Sequence, residues 1–436
     1  MISPDRVLEL VKLHLASAID PRKKKPPPEE PSWTIGVSKI DGRGVIATRD
    51  IKAGEIIFRE MPLLIGLTGR KESVLNTCSL CYKLLDEKKM MCPKGCSLPI
   101  CEQCSRKQQH NKECEIYRKY GPLEPTKIDP ASLRSLTVIR GLFLKKEQKH
   151  MIYAMQANTD STYRNEINNA AKCFKNFPTD SQTVEYFHRI VSVLNTNAFE
   201  VLSRNNGHEI ALRGLYPLAG IMNHECTPNT AHLYEDGTNE MVVKATRAIP
   251  RGEEITTTYT KLLWSTKSRQ LYLRLTKQFT CNCPRCKDPT ERGTYLGAFY
   301  CRTQQCGGLI IQEDPTAQSS IWKCEKCNTR YDSRQMTKIA DFALGTINGK
   351  ANNGTLKDMI QFINEMLPKI VPPWNYLAQE AKLQVIWKMG KTKEDFGYTD
   401  YQDKEKWCNE ACEILDKLEA GDCTLRHHLL EEARRF

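Results

Sequence analysis

Nineteen cysteines in 436 residues are the most conspicuous chemistry in this chain, and fifteen of them fall with one histidine into clusters at ligand spacing. Cys78-x2-Cys81, Cys92-x3-Cys96, Cys101-x2-Cys104 and His110-x3-Cys114 supply eight ligands within 37 residues, the number that two tetrahedral zinc sites require. Paired ligands in series usually interleave. Cys78, Cys81, Cys101 and Cys104 are therefore expected around one ion, and Cys92, Cys96, His110 and Cys114 around the other. Cys281-x-Cys283-x2-Cys286 lacks a fourth ligand, for which Cys226 in Asn223-His224-Glu225-Cys226 is the candidate. Cys301-x4-Cys306 and Cys324-x2-Cys327 read as two knuckles of a small β-ribbon, with Gly307 and Gly308 freeing backbone N–H groups to reach sulfur. All four sites are filled by protein ligands. They read as staples with no open position for a catalytic water, so metal-dependent hydrolysis is excluded.

Composition supports metal thiolates over disulfides. Leu8, Val11 and Leu15 alternate with Glu9, Lys12 and His14 as on an amphipathic helix, unlike the apolar run of a secretory signal, so an intracellular, reducing setting is expected. The remaining Cys173, Cys408, Cys412 and Cys423 are expected to be buried core thiols. The formal charge of +12 falls to about +5 once four zinc ions neutralise fifteen thiolates, which weakens any reading as a nucleic-acid protein. Arg22-Lys23-Lys24-Lys25 before Pro26-Pro27-Pro28 reads as a solvated linker, with nuclear import the alternative. The longest apolar stretch, around Leu215 to Met222, is far short of the roughly 20 residues that span a bilayer, so no membrane partner is expected.

The elements that must position these residues alternate between β and α. Strands are predicted at Trp33–Val37 and Val45–Thr48 around the turn Asp41-Gly42-Arg43-Gly44, then at Glu55–Arg59 and Leu63–Leu67. The Cys-, Lys- and Gln-rich stretch from Cys78 cannot build an apolar core and must be held by metal. Ile116 to Leu194 reads as helical, with Val184, Phe187, Val191 and Leu194 on one face and Asn195 as terminator. Strands return at Asn197–Leu202, Glu209–Leu212, Met241–Ala245 and Glu254–Tyr259, so the β-region is split by an insert. Residues 48–57 echo residues 246–255 at six positions, reading as two similar hairpin corners or as chance likeness of Gly-Glu turns. From Gln335 the chain is helical, notably at Leu377–Met389 and Trp407–Leu418. The whole is α+β.

An eight-ligand zinc module inserted in a β-region that opens on a Gly-x-Gly turn, followed by Asn223-His224-x-Cys226-x-Pro228-Asn229, Gly252-Glu253-Glu254-Ile255-x3-Tyr259 and a Cys-x-Cys-x2-Cys tail, resembles the SMYD proteins. These are SET-domain lysine methyltransferases split by a MYND zinc finger, and the Cys301–Cys327 ribbon with a shortened helical end looks closest to the arthropod SmydA branch. The resemblance is specific over residues 33 to 290. It implies a SET-type β-fold with an inserted MYND finger and helical insert, a post-SET zinc site, a zinc ribbon and an all-α C-terminal region. In residue numbers these are an N-terminal helix and linker at 1–32, SET parts at 33–77 and 191–265, and the MYND-type finger at 78–114. The helical insert takes 115–190, the post-SET region 266–290, the ribbon 291–334 and the helical domain 335–436.

The resemblance further implies S-adenosylmethionine as cofactor beside four structural zinc ions. Arg43, Gly44, Asn197, Asn223, His224, Tyr259 and Phe279 are similar to the family's cofactor site. Gly44 would permit close backbone approach, the two asparagines would hold the amino-acid end, His224 would meet adenine through its main chain and Phe279 would offer an aromatic face. Tyr259 matches the tyrosine beside the transferred methyl, and Phe199 and Tyr216 resemble walls of the lysine channel. Methyl transfer from a sulfonium is an in-line displacement that gains most from alignment and water exclusion. The accepting lysine, with a reference pKa of about 10.4, must first lose its proton. One departure stands out. Where the family carries a second channel tyrosine two residues before Phe279, this chain has Lys277, which could close the channel, repel a substrate lysine or point outward. The expected function is protein-lysine methylation of histone or other proteins in transcriptional regulation, in nucleus and cytoplasm. The alternative is a SET/MYND scaffold with little turnover, docking Pro-rich peptides at the finger and serving corepressors. Direct DNA binding is the weakest reading, since no ββα finger spacing occurs.

Overall fold

The computed structural model describes residues 2–17, 30–68, 76–85, 91–120, 130–159, 164–168, 180–205, 208–391 and 394–435. The basic run at 22–25 and Cys173 lie outside them.

Helix α1 (Pro4–Ser17) buries Val7, Leu10 and Val11 at helical spacing and leads into the β-region. Strands β1 (Trp33–Val37), β2 (Arg43–Ala47), β3 (Ile56–Glu60) and β4 (Leu64–Leu67) precede the zinc finger, and β5 (Phe199–Asn205), β6 (His208–Leu215), β7 (Thr230–Tyr234), β8 (Met241–Ala245) and β9 (Glu254–Ile255) follow the insert. They form three small sheets, in the orders β1-β2-β9, β3-β8-β7 and β4-β6-β5. Every sheet thus joins the two sides of the insert, with Val45 opposite Ile255, Phe58 opposite Val243 and Ile65 opposite Gly214. The split β-region closes on itself.

The echo between residues 48–57 and 246–255 is a structural pairing. Ile51 and Ile249 exchange both backbone hydrogen bonds at 2.9 Å. Arg49 donates to Glu55 at 2.6 Å, and Arg247 donates to Glu253 at 2.7 Å. Gly54 and Gly252 turn each corner at φ of 79° and 83°. The chance reading of the likeness therefore gives way to two matching corners that bond to each other.

Three sequence boundaries shift. The helix Ser181–Asn197 runs through Asn195, because the Asn197 amide folds back on the Val193 carbonyl at 2.9 Å and the Ala198 N–H closes on Leu194. The strand expected at Asn197–Leu202 accordingly begins at Phe199 and extends to Asn205. The strand expected at Glu254–Tyr259 stops at Ile255, where the chain leaves its sheet to lie parallel beside residues 223–225: Thr257 N–H donates to Asn223 O at 3.0 Å, and Glu225 N–H to Thr257 O at 2.9 Å.

The finger carries helix α2 (Gln108–Tyr120), and the insert carries α3 (Pro130–Leu142), α4 (Lys146–Ala154) and α5 (Ser181–Asn197). Asp180 caps α5 by accepting the Thr183 N–H at 2.8 Å. Arg140 of α3 is the rivet between finger and β-region. Its buried guanidinium donates to Glu113 at 2.7 Å, to Ser79 O at 2.7 Å and to Ile65 O at 2.8 Å.

After β9 come α6 (Thr266–Tyr272), a π-helical turn at Leu273–Lys277, and the ribbon β10 (Phe299–Tyr300), β11 (Leu309–Gln312), β12 (Trp322–Cys324) and β13 (Arg330–Tyr331). The C-terminal helices are α7 (Ser333–Asn353), α8 (Leu356–Glu365), α9 (Tyr376–Lys388), α10 (Tyr398–Lys417) and α11 (Thr424–Ala433). Helix α10 starts well before the expected Trp407, because its polar first half still packs: Lys404 is buried against Glu432 of α11 at 2.7 Å. Cys408, Cys412 and Cys423 are buried core thiols, as expected. Among the described residues, no helix is long and apolar enough to cross a membrane.

Two large apolar cores result, one shared by α1, the β-region, the finger and the insert, and one by the ribbon and the C-terminal helices. A third, small cluster of Cys226, Leu273, Cys281 and Cys286 packs against Tyr259 and Phe279.

Candidate functional site

The sixteen ligands form the four groups the spacing predicted: Cys78, Cys81, Cys101 and Cys104; Cys92, Cys96, His110 and Cys114; Cys226, Cys281, Cys283 and Cys286; Cys301, Cys306, Cys324 and Cys327. Within each group the ligand atoms lie within 4.8 Å of one another. Zinc–sulfur bonds of about 2.3 Å in a tetrahedron place sulfurs about 3.8 Å apart. Observed separations are 3.8 Å for Cys81 and Cys101, 3.8 Å for Cys92 and Cys114, 3.4 Å for Cys226 and Cys286, and 3.6 Å for Cys306 and Cys324. The donor sets fit zinc. In the ribbon, a Cβ on Gly308 would stand 2.7 Å from the Cys324 sulfur, so that glycine is required by the site.

The third site is supported from behind by a fully buried charge network. Arg269 donates to the Cys226 sulfur at 3.1 Å and to Glu291 at 2.7 Å, and Arg285 donates to Cys226 O at 3.1 Å and to Glu291 at 3.2 Å. Burial alone would raise Glu291, but the two guanidiniums hold its carboxyl below the ordinary range. Donors aimed at a ligand sulfur stabilise its thiolate.

In front of this site lies a cavity of about 1350 Å³ whose wall includes Arg43, Asn197, Asn223, His224, Tyr259, Lys277 and Phe279. His224 links cavity to metal. Its Nδ1 accepts the backbone N–H of Tyr259 at 2.9 Å, so its proton sits on Nε2, which lies 3.2 Å from the Cys226 sulfur. Tyr259 donates its hydroxyl proton to Met222 O at 2.7 Å, leaving the oxygen lone pairs uncommitted by that bond. Burial, aided by Glu254 and Asp41, pushes the Tyr259 phenol far above its ordinary value, so it stays neutral. Phe279 packs edge-on to Tyr259 with ring centroids 6.4 Å apart.

The two asparagines turn their N–H donors into the protein. Asn197 Nδ2 donates to Gln156 O at 2.8 Å as well as to Val193 O, and Asn223 Nδ2 lies 2.9 Å from Arg43 O and 2.7 Å from Glu254 Oε1. Each is left to present its amide oxygen. Arg43 is anchored on Ala154 O at 2.7 Å. Two amide oxygens, a guanidinium and an aromatic face around one cavity fit the ammonium, carboxylate and purine of S-adenosylmethionine.

Three residues sit differently from expectation. Gly44 is not on the cavity wall; the space beside it holds Glu254, whose Oε1 a Cβ would meet at 2.2 Å. The positive φ of that turn falls on Gly42 at 54°. Phe199 and Tyr216 do not line the cavity either. They form an aromatic cluster with His232 and Tyr234, centroids 5.4 to 6.1 Å apart, in which Tyr216 is fully buried and bonded to Asn239 O at 2.7 Å. Lys277, for which three placements were open, turns inward: its Nζ donates to Thr196 O at 2.6 Å and lies 5.4 Å from the centre of the Tyr259 ring.

Sequence reasoning missed Glu254, Ser38 and Asn158. Ser38 donates to Glu254 at 2.7 Å, locking the first turn to Asn223, and Asn158 donates to Lys277 O at 3.1 Å. Glu254 had a signal. In the corner echo Glu253 matches Glu55, whereas Glu254 replaces Ile56 and so breaks the repeat.

The SET domain family matches residues 42–260. The SET domain-containing protein SmydA-8, isoform B, of Drosophila melanogaster is 45% identical over 433 residues, covering 97% of this chain and 94% of that protein. The histone-lysine N-methyltransferase Smyd1 of Mus musculus is 23% identical over 416 residues, covering 90% of this chain and 77% of that protein. The crystal structure of the SET domain of LSMT bound to lysine and AdoHcy aligns over 99% of this chain and 89% of its own at 12% identity, with a TM-score of 0.39.

Proposed function

This chain belongs to the SMYD family of SET-domain protein-lysine methyltransferases, in its SmydA branch, and from that premise we propose that it methylates lysine side chains of histone or other proteins and so regulates transcription. The observation that carries the reading is the state of Tyr259: a neutral phenol on the cavity wall, its proton given to Met222 O, its oxygen left as an acceptor.

S-adenosylmethionine, when bound, supplies a methyl group on a sulfonium. Arg43 would hold its carboxylate, the amide oxygens of Asn197 and Asn223 its ammonium, and Phe279 and the main chain of His224 its purine. The Tyr259 oxygen, its proton given to Met222 O, would offer an acceptor toward the polarised methyl and would orient the neutral amine of the substrate. Phe279 and the His224 ring wall off water on that side, which favours loss of the substrate ammonium proton. The substrate lysine would enter past Phe199, half-buried like His232 and Tyr234 of its aromatic cluster; Tyr216 supports it from the core. The finger at Cys78–Cys114 docks Pro-rich peptides of corepressor partners, and the protein works in nucleus and cytoplasm.

The test is transfer of labelled methyl from S-adenosylmethionine to purified histones and to proteins of a native lysate. Tyr259→Phe should lower transfer at least hundredfold while cofactor binding measured by calorimetry stays within about threefold. Transfer that survives in Tyr259→Phe, or wild-type protein that binds no cofactor, would refute the reading.

A further inference from the structure

Behind the tyrosine at the cavity lies a buried carboxyl group that the reaction itself does not use. Glu60 ends β3, and its side chain is fully buried. Its Oε1 accepts the Leu218 N–H at 2.8 Å and its Oε2 the Ala219 N–H at 3.0 Å. His14 of α1 flanks it, with Nε2 3.0 Å from Met61 O and 3.5 Å from Glu60 Oε1. Burying a carboxyl group is costly, and the two backbone donors offset part of that cost. They belong to one turn of 3-10 helix, Ala219–Ile221, in which the Ile221 N–H closes on Leu218 O at 3.0 Å and the Met222 N–H on Ala219 O at 3.2 Å. A turn of this kind is short and poorly bonded, so the grip on its first N–H groups sets where its last carbonyl points. Met222 O is that carbonyl, and it takes the Tyr259 hydroxyl at 2.7 Å. The next residue is anchored by other means: Asn223 Nδ2 stands 3.0 Å from Ser38 Oγ, 2.9 Å from Arg43 O and 2.7 Å from Glu254 Oε1.

We propose that Glu60 is a positioning residue for methyl transfer: through the 218–222 turn it holds the Met222 carbonyl in place, and that carbonyl fixes the Tyr259 hydroxyl with its proton turned away from the cavity. The inference rests on the reading of Tyr259 above and extends it to a residue that is not on the cavity wall. A phenol hydroxyl rotates to suit its partners. Held by Met222 O, it shows the cavity an oxygen; released, it can turn its proton inward and meet the polarised methyl as a donor, the wrong sign for that charge. Removing the carboxyl group leaves the Leu218 and Ala219 N–H groups unpaired in the core, and the turn must shift to satisfy them. A displacement of about 1 Å at a residue that orients reactants costs on the order of a hundredfold in rate. Asn223, with anchors of its own, keeps the cofactor end of the cavity in place while Met222 moves.

The experiment is fluorine NMR of the zinc-loaded full chain labelled with fluorotyrosine, in which the Tyr259 signal is the one that Tyr259→Phe removes. The same proteins are titrated with S-adenosylhomocysteine by calorimetry and assayed for transfer of labelled methyl. In Glu60→Leu, and in Glu60→Asp, whose carboxylate is one methylene short, the Tyr259 signal should move by more than its linewidth. Transfer should fall at least about tenfold in both while nucleoside affinity stays within about threefold. Glu60→Gln, which keeps the reach and an oxygen for the Leu218 N–H, should stay close to wild type in all three readouts. Lys404→Met breaks a buried ion pair in the other core; it should lower the melting temperature without moving the Tyr259 signal, which separates positioning from a general loss of stability. An unmoved Tyr259 signal in Glu60→Asp would overturn the proposal even if Glu60→Leu does not fold. Nucleoside affinity that falls in step with transfer would also overturn it, by showing that Glu60 builds the cofactor site as a whole. A wild-type protein that binds no nucleoside would overturn it by way of the cofactor reading, a failure told apart because the Tyr259 signal is read without ligand.

Discussion

His224 has both ring nitrogens in use, which ties the backbone of the tyrosine at the cavity to the sulfur of a metal ligand through one imidazole. His224→Leu leaves the Tyr259 N–H unpaired and takes a donor from the Cys226 thiolate. An unpaired buried donor costs about 1–3 kcal/mol, so thermal melting should show a loss of that order, accompanied by faster zinc release to a chelator. His224→Asn, whose amide oxygen can stand near the position of Nδ1, should recover part of the stability. A second residue acts through pH. Glu60 is fully buried, accepting the N–H groups of Leu218 at 2.8 Å and Ala219 at 3.0 Å just before Met222 and Asn223, and burial raises its carboxyl to about 8. The folded state thus keeps a proton that the unfolded chain releases near its ordinary carboxyl value. Between about pH 4.5 and 8 the unfolded state binds fewer protons, so stability falls as pH rises through that window. Glu60→Gln, which cannot ionise, should match wild type near pH 4.5 and exceed it at pH 8 by on the order of 1–3 kcal/mol in denaturant unfolding. A difference that does not change with pH would contradict this.

At the scale of elements, legibility follows how local the constraint is. Tetrahedral coordination needs ligands a few residues apart in knuckles, so fifteen of the sixteen ligands announce themselves, and Cys226 follows from the incomplete third set. The turn at Gly42 is similarly local. What could not be read is what distant segments do to each other. Glu254 reads as ordinary strand, yet its carboxylate meets Ser38, more than two hundred residues away, and Gly44 is small for Glu254 and not for a ligand. No residue type announces the π-helical turn that sends Lys277 to a helix end eighty residues earlier. The split between local and distant roles predicts how the zinc sites differ. Cys226→Ser and Cys327→Ser should each lower metal content from four zinc ions per chain to three. Only Cys226→Ser should also weaken S-adenosylhomocysteine binding, by tenfold or more, because its sulfur receives the His224 proton that orders Tyr259. Cys327 belongs to the ribbon, which packs into the core of the C-terminal helices, and its loss should leave affinity within about twofold.

The whole molecule carries two large cores and, apart from them, the small cluster around Cys226. Direct contacts join them too: Thr424 at the start of α11 donates to His232 O on β7 at 3.0 Å, and Asp422 N–H to Thr246 O at 3.2 Å. Gly421 permits that approach, since a Cβ there would stand 2.2 Å from the Thr246 carbonyl oxygen. The stronger coupling is the metal. Cys226 comes from the loop before β7, while Cys281, Cys283 and Cys286 come from the segment that continues into the ribbon, so one ion cross-links the chain between its cores, with Arg269, Arg285 and Glu291 buried behind it. Structural zinc contributes directly to folding free energy, so the intact protein should melt in a single calorimetric transition. Ligand at about a hundred times its Kd adds about 2.7 kcal/mol, which for a chain of this length raises that midpoint by about 3 °C. In Cys286→Ser the cross-link is lost and the melt should separate into two transitions. The added nucleoside should then raise only the one belonging to the first core, because Arg43, Asn197 and Asn223 all belong to segments packed there. Two transitions already present in the zinc-loaded wild type, with ligand moving only one, would mean that the direct contacts and the metal together are too weak to make the halves one cooperative unit.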